Sequence, residues 1–209
     1  LAKPDDWRAY RQRMIEALKD LLGEEAALPR KTTGPQNVST KPQGDLVVQR
    51  ADYPSEGRIL VPTILLRGVT PPGAKPPSAK LPVVIILAAA GKESLLEQQG
   101  PDSAAETARA GSLVVLPDLR FVGELSSAGK TNDAQQRQAW ERNGIVWGRP
   151  VPGMACTDLR GVLDGLAARP DADVGRVRVL SRQSGDLAMA VLFAAALDRR
   201  IASADVDLA

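Results

Sequence analysis

No histidine occurs anywhere in the 209 residues. That absence removes the usual general base for a serine or cysteine nucleophile, and a frequent zinc ligand with it. A Ser-His-Asp triad cannot be assembled from this chain's own residues. Cysteine is nearly absent too. Cys156 stands alone, which excludes an internal disulfide, and with no imidazole to activate its thiol a packing role is expected. No apolar run reaches the length of about 18 residues that spans a bilayer, so no segment reads as a transmembrane helix. Charge of one sign is missing as well: 27 Lys and Arg face 25 Asp and Glu. A net charge of +2 gives no electrostatic case for a nucleic acid or a membrane partner. No cofactor and no metal is expected. The chain opens at Leu1 with neither Met nor a signal-like apolar segment, so removal of an upstream piece is expected.

The length suits one domain with a substantial core. Trp7, Tyr10, Met14, Ile15, Leu18, Leu21 and Leu22 recur at three-to-four spacing, which predicts an amphipathic helix packed on its own domain and closed by Gly23. Residues 24–44 are rich in Pro, Gly, Thr and Lys and read as an irregular connection. The organisation is therefore an N-terminal helix and connection over 1–44, then an α/β unit over 45–209. Asp45 to Asp52 and Arg58 to Arg67 predict a hairpin around Tyr53-Pro54-Ser55-Glu56-Gly57, and Pro62 points the second strand to an edge. Residues 70–80 are a proline-rich loop.

Leu81 to Leu87 and Ser112 to Leu116 are continuous apolar runs, as expected of parallel strands covered on both faces. Between them Pro101 to Ala110 predicts a helix that Gly111 closes. Alternation of strand, helix and strand is the pattern of a parallel sheet. Residues 122–139 read as a polar loop with one short helix, and Met154 to Ala168 as a helix burying Leu159, Val162, Leu163 and Leu166. Asp171 to Gly175 then turns the chain into a strand at Val177. That strand ends in a polar knot, Ser181-Arg182-Gln183-Ser184-Gly185-Asp186, and a helix of small apolar residues follows at once. Ile201 to Leu208 reads as the final strand.

Strand, sharp turn and buried helix is the arrangement of the nucleophile elbow of α/β-hydrolases. Laid so that Gly185 takes the last glycine of Gly-x-Ser-x-Gly, the frame puts Ser181 at the first glycine and Gln183 at the nucleophile position. A glutamine amide cannot serve as that nucleophile. Ser184 falls one residue later, and shifting it into place would seat Asp186 where a small residue is needed.

The order of residues along the whole chain resembles the acetyl xylan esterase-like branch of the α/β-hydrolases. The marks are Trp7 with Leu21-Leu22-Gly23, Val61-Pro62 with Leu65-Leu66-Arg67, Leu81-Pro82-Val83-Val84, Gly91-Lys92-Glu93, Pro117-Asp118-Leu119-Arg120 with Gly123-Glu124, Gly148-Arg149-Pro150, Asp158-Leu159-Arg160, Leu166-Ala167 with Arg169-Pro170, and Ala194 to Asp198 with Arg200-Ile201. The resemblance implies a mostly parallel central sheet with helices on both faces, an N-terminal helix and hairpin, and C-terminal strands missing from this chain. It also implies carboxylic-ester hydrolysis, with oxyanion-hole amides from the turn at Ala89 and Ala90 and an acid and a histidine from loops after later strands. Relatives carry His-Gly in that turn, where this chain has Ala88-Ala89-Ala90-Gly91. The expectation is a degenerate carbohydrate esterase, a pseudoenzyme whose relatives are often secreted, retained for binding or architecture. Its implied partners are a carbohydrate or small-ester ligand and a protein partner or the remainder of a larger chain. The alternative is the front part of an active serine esterase whose Asp and His lie beyond Ala209.

Two stretches mimic a phosphate-binding loop and fail on chemistry. Before Gly91-Lys92-Glu93, Ile86 stands at the leading glycine and glutamate replaces the magnesium-binding hydroxyl. From Gly123 to Gly129-Lys130-Thr131 the glycines are one residue too far apart, which spoils the cradle of N–H groups. Trp140 and Trp147 offer faces suited to stacking on sugars.

Overall fold

The computed structural model describes residues 4–24, 34–69, 80–126, 133–182 and 185–207. Seven strands form a single sheet in the order β1-β2-β3-β5-β4-β6-β7. They are β1 (Gln36–Gln43), β2 (Leu46–Pro54), β3 (Leu60–Gly68), β4 (Leu81–Leu87), β5 (Leu113–Pro117), β6 (Ala172–Ser181) and β7 (Ile201–Val206). The pairs β1/β2, β2/β3 and β3/β5 are antiparallel, and β5/β4, β4/β6 and β6/β7 are parallel.

Side-chain alternation divides the core between the two faces of the sheet. Val83, Ile85 and Leu87 of β4, with Leu113 and Val115 of β5, pack on one side. That side is covered by α5 (Val151–Ala167) and α6 (Asp186–Leu197), through Leu159, Val162, Leu163, Leu166 and Val191. Val84, Ile86, Val114 and Leu116 face the other way, onto Leu95 of α2 (Lys92–Glu97) and Ala104 and Ala108 of α3 (Ala104–Arg109). Burial on both faces is why these strands carry uninterrupted aliphatic runs. Cys156 lies in this core, 2% exposed. Gly165 of α5 lets Tyr53 of β2 lie flat against the helix: a Cβ there would stand 2.3 Å from the ring.

Four expectations change. The stretch read as irregular contains β1, hydrogen-bonded along β2, so the boundary drawn at residue 44 falls inside a hairpin. Every residue of β1 is exposed, which leaves no alternation to read. Pro62 is not on an edge, because β3 sits between β2 and β5. It lies one residue beyond the last β3/β5 pair, Thr63↔Pro117, and its carbonyl accepts from Asp118 N at 2.9 Å, so the missing N–H interrupts no ladder. The turn at 171–175 is absorbed into β6 as an irregularity opposite Pro82/Val84, with Asp173 Oδ1 accepting from Gly175 N at 3.0 Å. The helix α1 (Pro4–Leu22) docks only its C-terminal end: Leu22 is buried and Leu18 packs beside it, whereas Trp7, Tyr10, Met14 and Leu21 are exposed.

The helix α4 (Asp133–Val146) begins within the stretch read as polar loop with one short helix and runs on past its end, after a short 3-10 turn at Gly123–Leu125. The prolines of 70–79, and Leu208 at the predicted end of the last strand, lie outside the described residues. No described helix is long and apolar enough to cross a membrane.

Candidate functional site

Parallel strands β4, β5 and β6 release their chain ends on one edge of the sheet, where open α/β folds place ligands. A cleft of about 640 Å³ lies there. Its walls come from the turn after β4 (Ala89 to Glu93), the turn after β5 (Asp118 to Glu124), Trp140 of α4, Val151 and Ala155 of α5, and Asp186 and Leu187 at the start of α6.

Asp118 builds the floor. Its carboxylate accepts from Lys92 N at 2.7 Å, Lys92 Nζ at 2.7 Å and Glu124 N at 2.9 Å. Lys92 Nζ also pairs with the Glu124 carboxylate. The Lys92 and Asp118 side chains are each 2% exposed, so a complete ion pair sits under the cleft and ties two loops together. Close approach requires glycine at position 123, where a Cβ would stand 2.2 Å from Asp118 Oδ2. Gly91 is constrained likewise, with φ of +88° and a would-be Cβ 2.7 Å from Gly123 Cα.

A second network anchors the same β5 turn from behind. Asp158, fully buried in α5, accepts from Ser55 Oγ at 2.6 Å, Arg120 N at 3.0 Å and Arg120 Nε at 2.9 Å. Arg120 reaches Glu56 at 2.5 Å and the Met154 carbonyl at 2.8 Å, and Arg149 closes the network on Glu56 at 2.6 and 2.9 Å. Burial pushes the Asp158 carboxyl up against the pull of Arg120. Burial also works to raise Glu56, but the Arg149 and Arg120 guanidiniums outweigh it and hold its carboxyl below the ordinary 4.5.

For Glu56 the sign follows directly. A depressed folded-state value gives stability that is present above the ordinary value and lost as pH falls through the lower one. The raised Asp158 has the opposite sign, so a difference against Glu56→Gln isolates Glu56. That variant is expected to be about 2–3 kcal/mol less stable at pH 7. The gap from wild type should narrow as pH falls from 7 to 3. Urea midpoints across that range check it, and a gap that stays constant counts against the assignment.

Phe121 and Trp140 are the aromatic part of the wall, with ring centroids 5.5 Å apart and planes tilted by 50°. Phe121 holds φ at +69°, a conformation that costs a bulky L-residue about 1–3 kcal/mol. The backbone is fixed there by Arg120 on Asp158, by Val122 N on the Leu119 carbonyl at 3.0 Å and by Phe121 N on the Leu125 carbonyl at 3.2 Å. Trp147 is exposed and takes no part in the cleft.

On the facing wall, β6 ends at Ser181, Gly185 adopts φ of +90° and α6 begins at Asp186. A strand is therefore followed by a helix, in the order the sequence predicts. Gln183 and Ser184 themselves lie outside the described residues. Ala89 and Ala90 line the cleft. Among the described residues no group of His, Cys, Asp and Glu is arranged to hold a metal ion.

No family model matches the sequence, and no curated protein does. Solved structures match in shape. A protein assigned as an acetyl xylan esterase from Bacteroides fragilis NCTC 9343 superposes with a TM-score of 0.74 over 97% of this chain, at 14% identity. The chain has the acetyl xylan esterase-like α/β-hydrolase fold. A methylesterase (TM-score 0.66, 18% identity, 98% of this chain) and acetyl xylan esterase 1 from Thermoanaerobacterium sp. JW/SL YS485 (0.56, 17%, 95%) share the fold as well. This chain spans 54%, 42% and 56% of those three chains. Lys92, Asp118, Arg120, Glu124, Arg149 and Asp158, all among the marks of resemblance in the sequence, belong to the two ion-pair networks, in which Glu56 takes part without being one of those marks.

The sequence offered Trp140 as a candidate for ligand contact and overlooked Phe121. A phenylalanine between Arg120 and Val122 carries no sequence signal of its backbone conformation. The Lys92/Asp118 pair was likewise visible only as separate short motifs.

Proposed function

We propose that this α/β-hydrolase-like domain binds an esterified carbohydrate in the cleft at the ends of β4, β5 and β6 and does not hydrolyse it. What carries the reading is a built cleft in a chain without histidine. The floor is a satisfied buried ion pair and the wall an aromatic pair on strained backbone, while no residue of these 209 is an imidazole. The structural likeness to acetyl xylan esterases supports the choice of ligand.

Loss of triad members typically removes roughly 10⁴ to 10⁶ of rate. Hydrolysis of an aryl acetate by the purified chain is therefore expected at the buffer rate, and unchanged in Ser184→Ala. A rate that disappears with Ser184 would falsify the reading and make Ser184 the nucleophile, with the backbone amides of Ala89 and Ala90 as oxyanion donors.

A second reading is favoured by one observation, that the chain spans 54% of the Bacteroides structure. In it this is the front part of a serine esterase, with Asp and His supplied after Ala209. The sequence of the full gene separates the two: later Asp and His codons on strand-following loops favour the esterase, although Gln183 then needs a compensating nucleophile.

A further inference from the structure

We propose that two copies of this chain associate through α1, the helices running antiparallel about a twofold axis. The motive is an apolar stripe that the fold leaves uncovered. Ile15, half-buried, faces the domain with Leu18 and the buried Leu22. A second stripe, about a quarter-turn round the helix, holds Trp7, Tyr10, Met14, Ala17 and Leu21, all exposed. These five recur in alternate steps of three and four, which is the spacing of the a and d seam between two packed helices. The shape that covers such a seam is another helix.

Charge selects the partner and its direction. With four basic and four acidic residues, α1 exerts no net pull on an anionic lipid surface. Arg13 and Asp20 flank the seam on its solvent side, and neither side chain is ion-paired among the described residues. When Tyr10 lies opposite the partner's Leu21 and Met14 opposite the partner's Ala17, Arg13 of each copy meets Asp20 of the other. A parallel pairing sets Arg13 beside the partner's Leu18 and forfeits both ion pairs. The antiparallel register also carries the partner's Trp7 past the C-terminal end of α1. Gly23 abuts Gly148 there, where a Cβ would collide with the carbonyl oxygen. Exposed Ile145 and Val146 end α4 at that point, and Trp147 follows, exposed as well. With Trp7, Tyr10, Met14 and Leu21 they are seven of the eleven large apolar side chains exposed among the described residues, so one isologous contact reaches most of the uncovered apolar surface. Because α1 docks only its C-terminal end, its N-terminal half is free to lie along the partner.

The test is sedimentation equilibrium of the 209-residue chain, which is expected to show a dimer that dissociates on dilution. Met14→Glu, at an exposed position, should keep the wild-type circular dichroism and weaken association at least about thirtyfold. Arg13→Asp turns both ion pairs into facing carboxylates, Asp20→Arg turns both into facing guanidiniums, and each should weaken association about tenfold. An equimolar mixture of these two variants should associate about as tightly as the wild type, because every Asp then meets an Arg. A chain still monomeric at about 0.1 mM, or a dimer that Met14→Glu leaves intact, overturns the proposal. So does a mixture no tighter than the single variants. A monomer that adsorbs to phosphatidylglycerol vesicles through Trp7 overturns it in favour of a lipid surface.

Discussion

Replacing Asp158 by alanine is expected to destabilise the domain by about 3–5 kcal/mol, which for a domain of this size lowers the melting temperature by roughly 10 °C. The carboxylate is fully buried and accepts from Ser55 Oγ and from Arg120 N and Nε. Its removal leaves a largely buried guanidinium with one carboxylate in place of two, and a backbone N–H and a hydroxyl without their acceptor. The cost comes from those orphaned donors and not from any net worth of the ion pair. Asp158→Asn keeps the shape and one acceptor oxygen and should cost about half as much. Coupling gives the sharper reading. In an Arg120→Met background the charge that needs Asp158 is gone, so Asp158→Ala should cost at least about 1 kcal/mol less there than in the wild type. Additive losses in the cycle would mean that the two side chains stabilise the fold independently and that the β5 turn is not held through their contact.

The same network shows what could and could not be read from the sequence. β4 and β5 were legible because burial on both faces leaves an unbroken aliphatic run, and α5 because Leu159, Val162, Leu163 and Leu166 recur at helical spacing. β1 was not, since a strand exposed along its whole length has no pattern, and its place is set by pairing with β2. α2 is only six residues long and opens on a buried lysine, so its sequence looks like the loop it interrupts. The N-terminal helix was legible as a helix, but which part of its stripe meets the sheet layer depends on where its axis points. Gly153 of α5 lets the chain approach at Leu22, where a Cβ would stand 2.4 Å from the Leu22 carbonyl oxygen.

For the site, the short motifs around Lys92, Asp118, Arg120 and Glu124 were visible one by one. Their union was not, because Lys92 meets Asp118 across 26 positions and Glu124 across 32. Strand order brings them together: β4 and β5 are parallel neighbours, so the turns that follow them emerge side by side. A chain that kept these residues in unrelated places would have shown the same local motifs and no cleft.

Asp118→Ala tests that union, and its expected cost is again about 3–5 kcal/mol. One carboxylate serves three donors drawn from both loops, Lys92 N, Lys92 Nζ and Glu124 N. Without it Lys92 keeps only Glu124, whose side chain is 59% exposed and whose pairing is correspondingly weakened by water. Two consequences separate this from a simple loss of stability. Lys92→Met added to Asp118→Ala should recover about 1–2 kcal/mol, because the buried charge that lacked a partner is gone while the stem still fills its space. Binding of xylotriose should remain impaired in that double variant, because neither loop is then held to the other and Gly123 no longer lies against a carboxylate. Recovery of binding together with stability would show that the two loops keep their positions through packing alone, and the ion pair would then be a tenant of the cleft and not its floor.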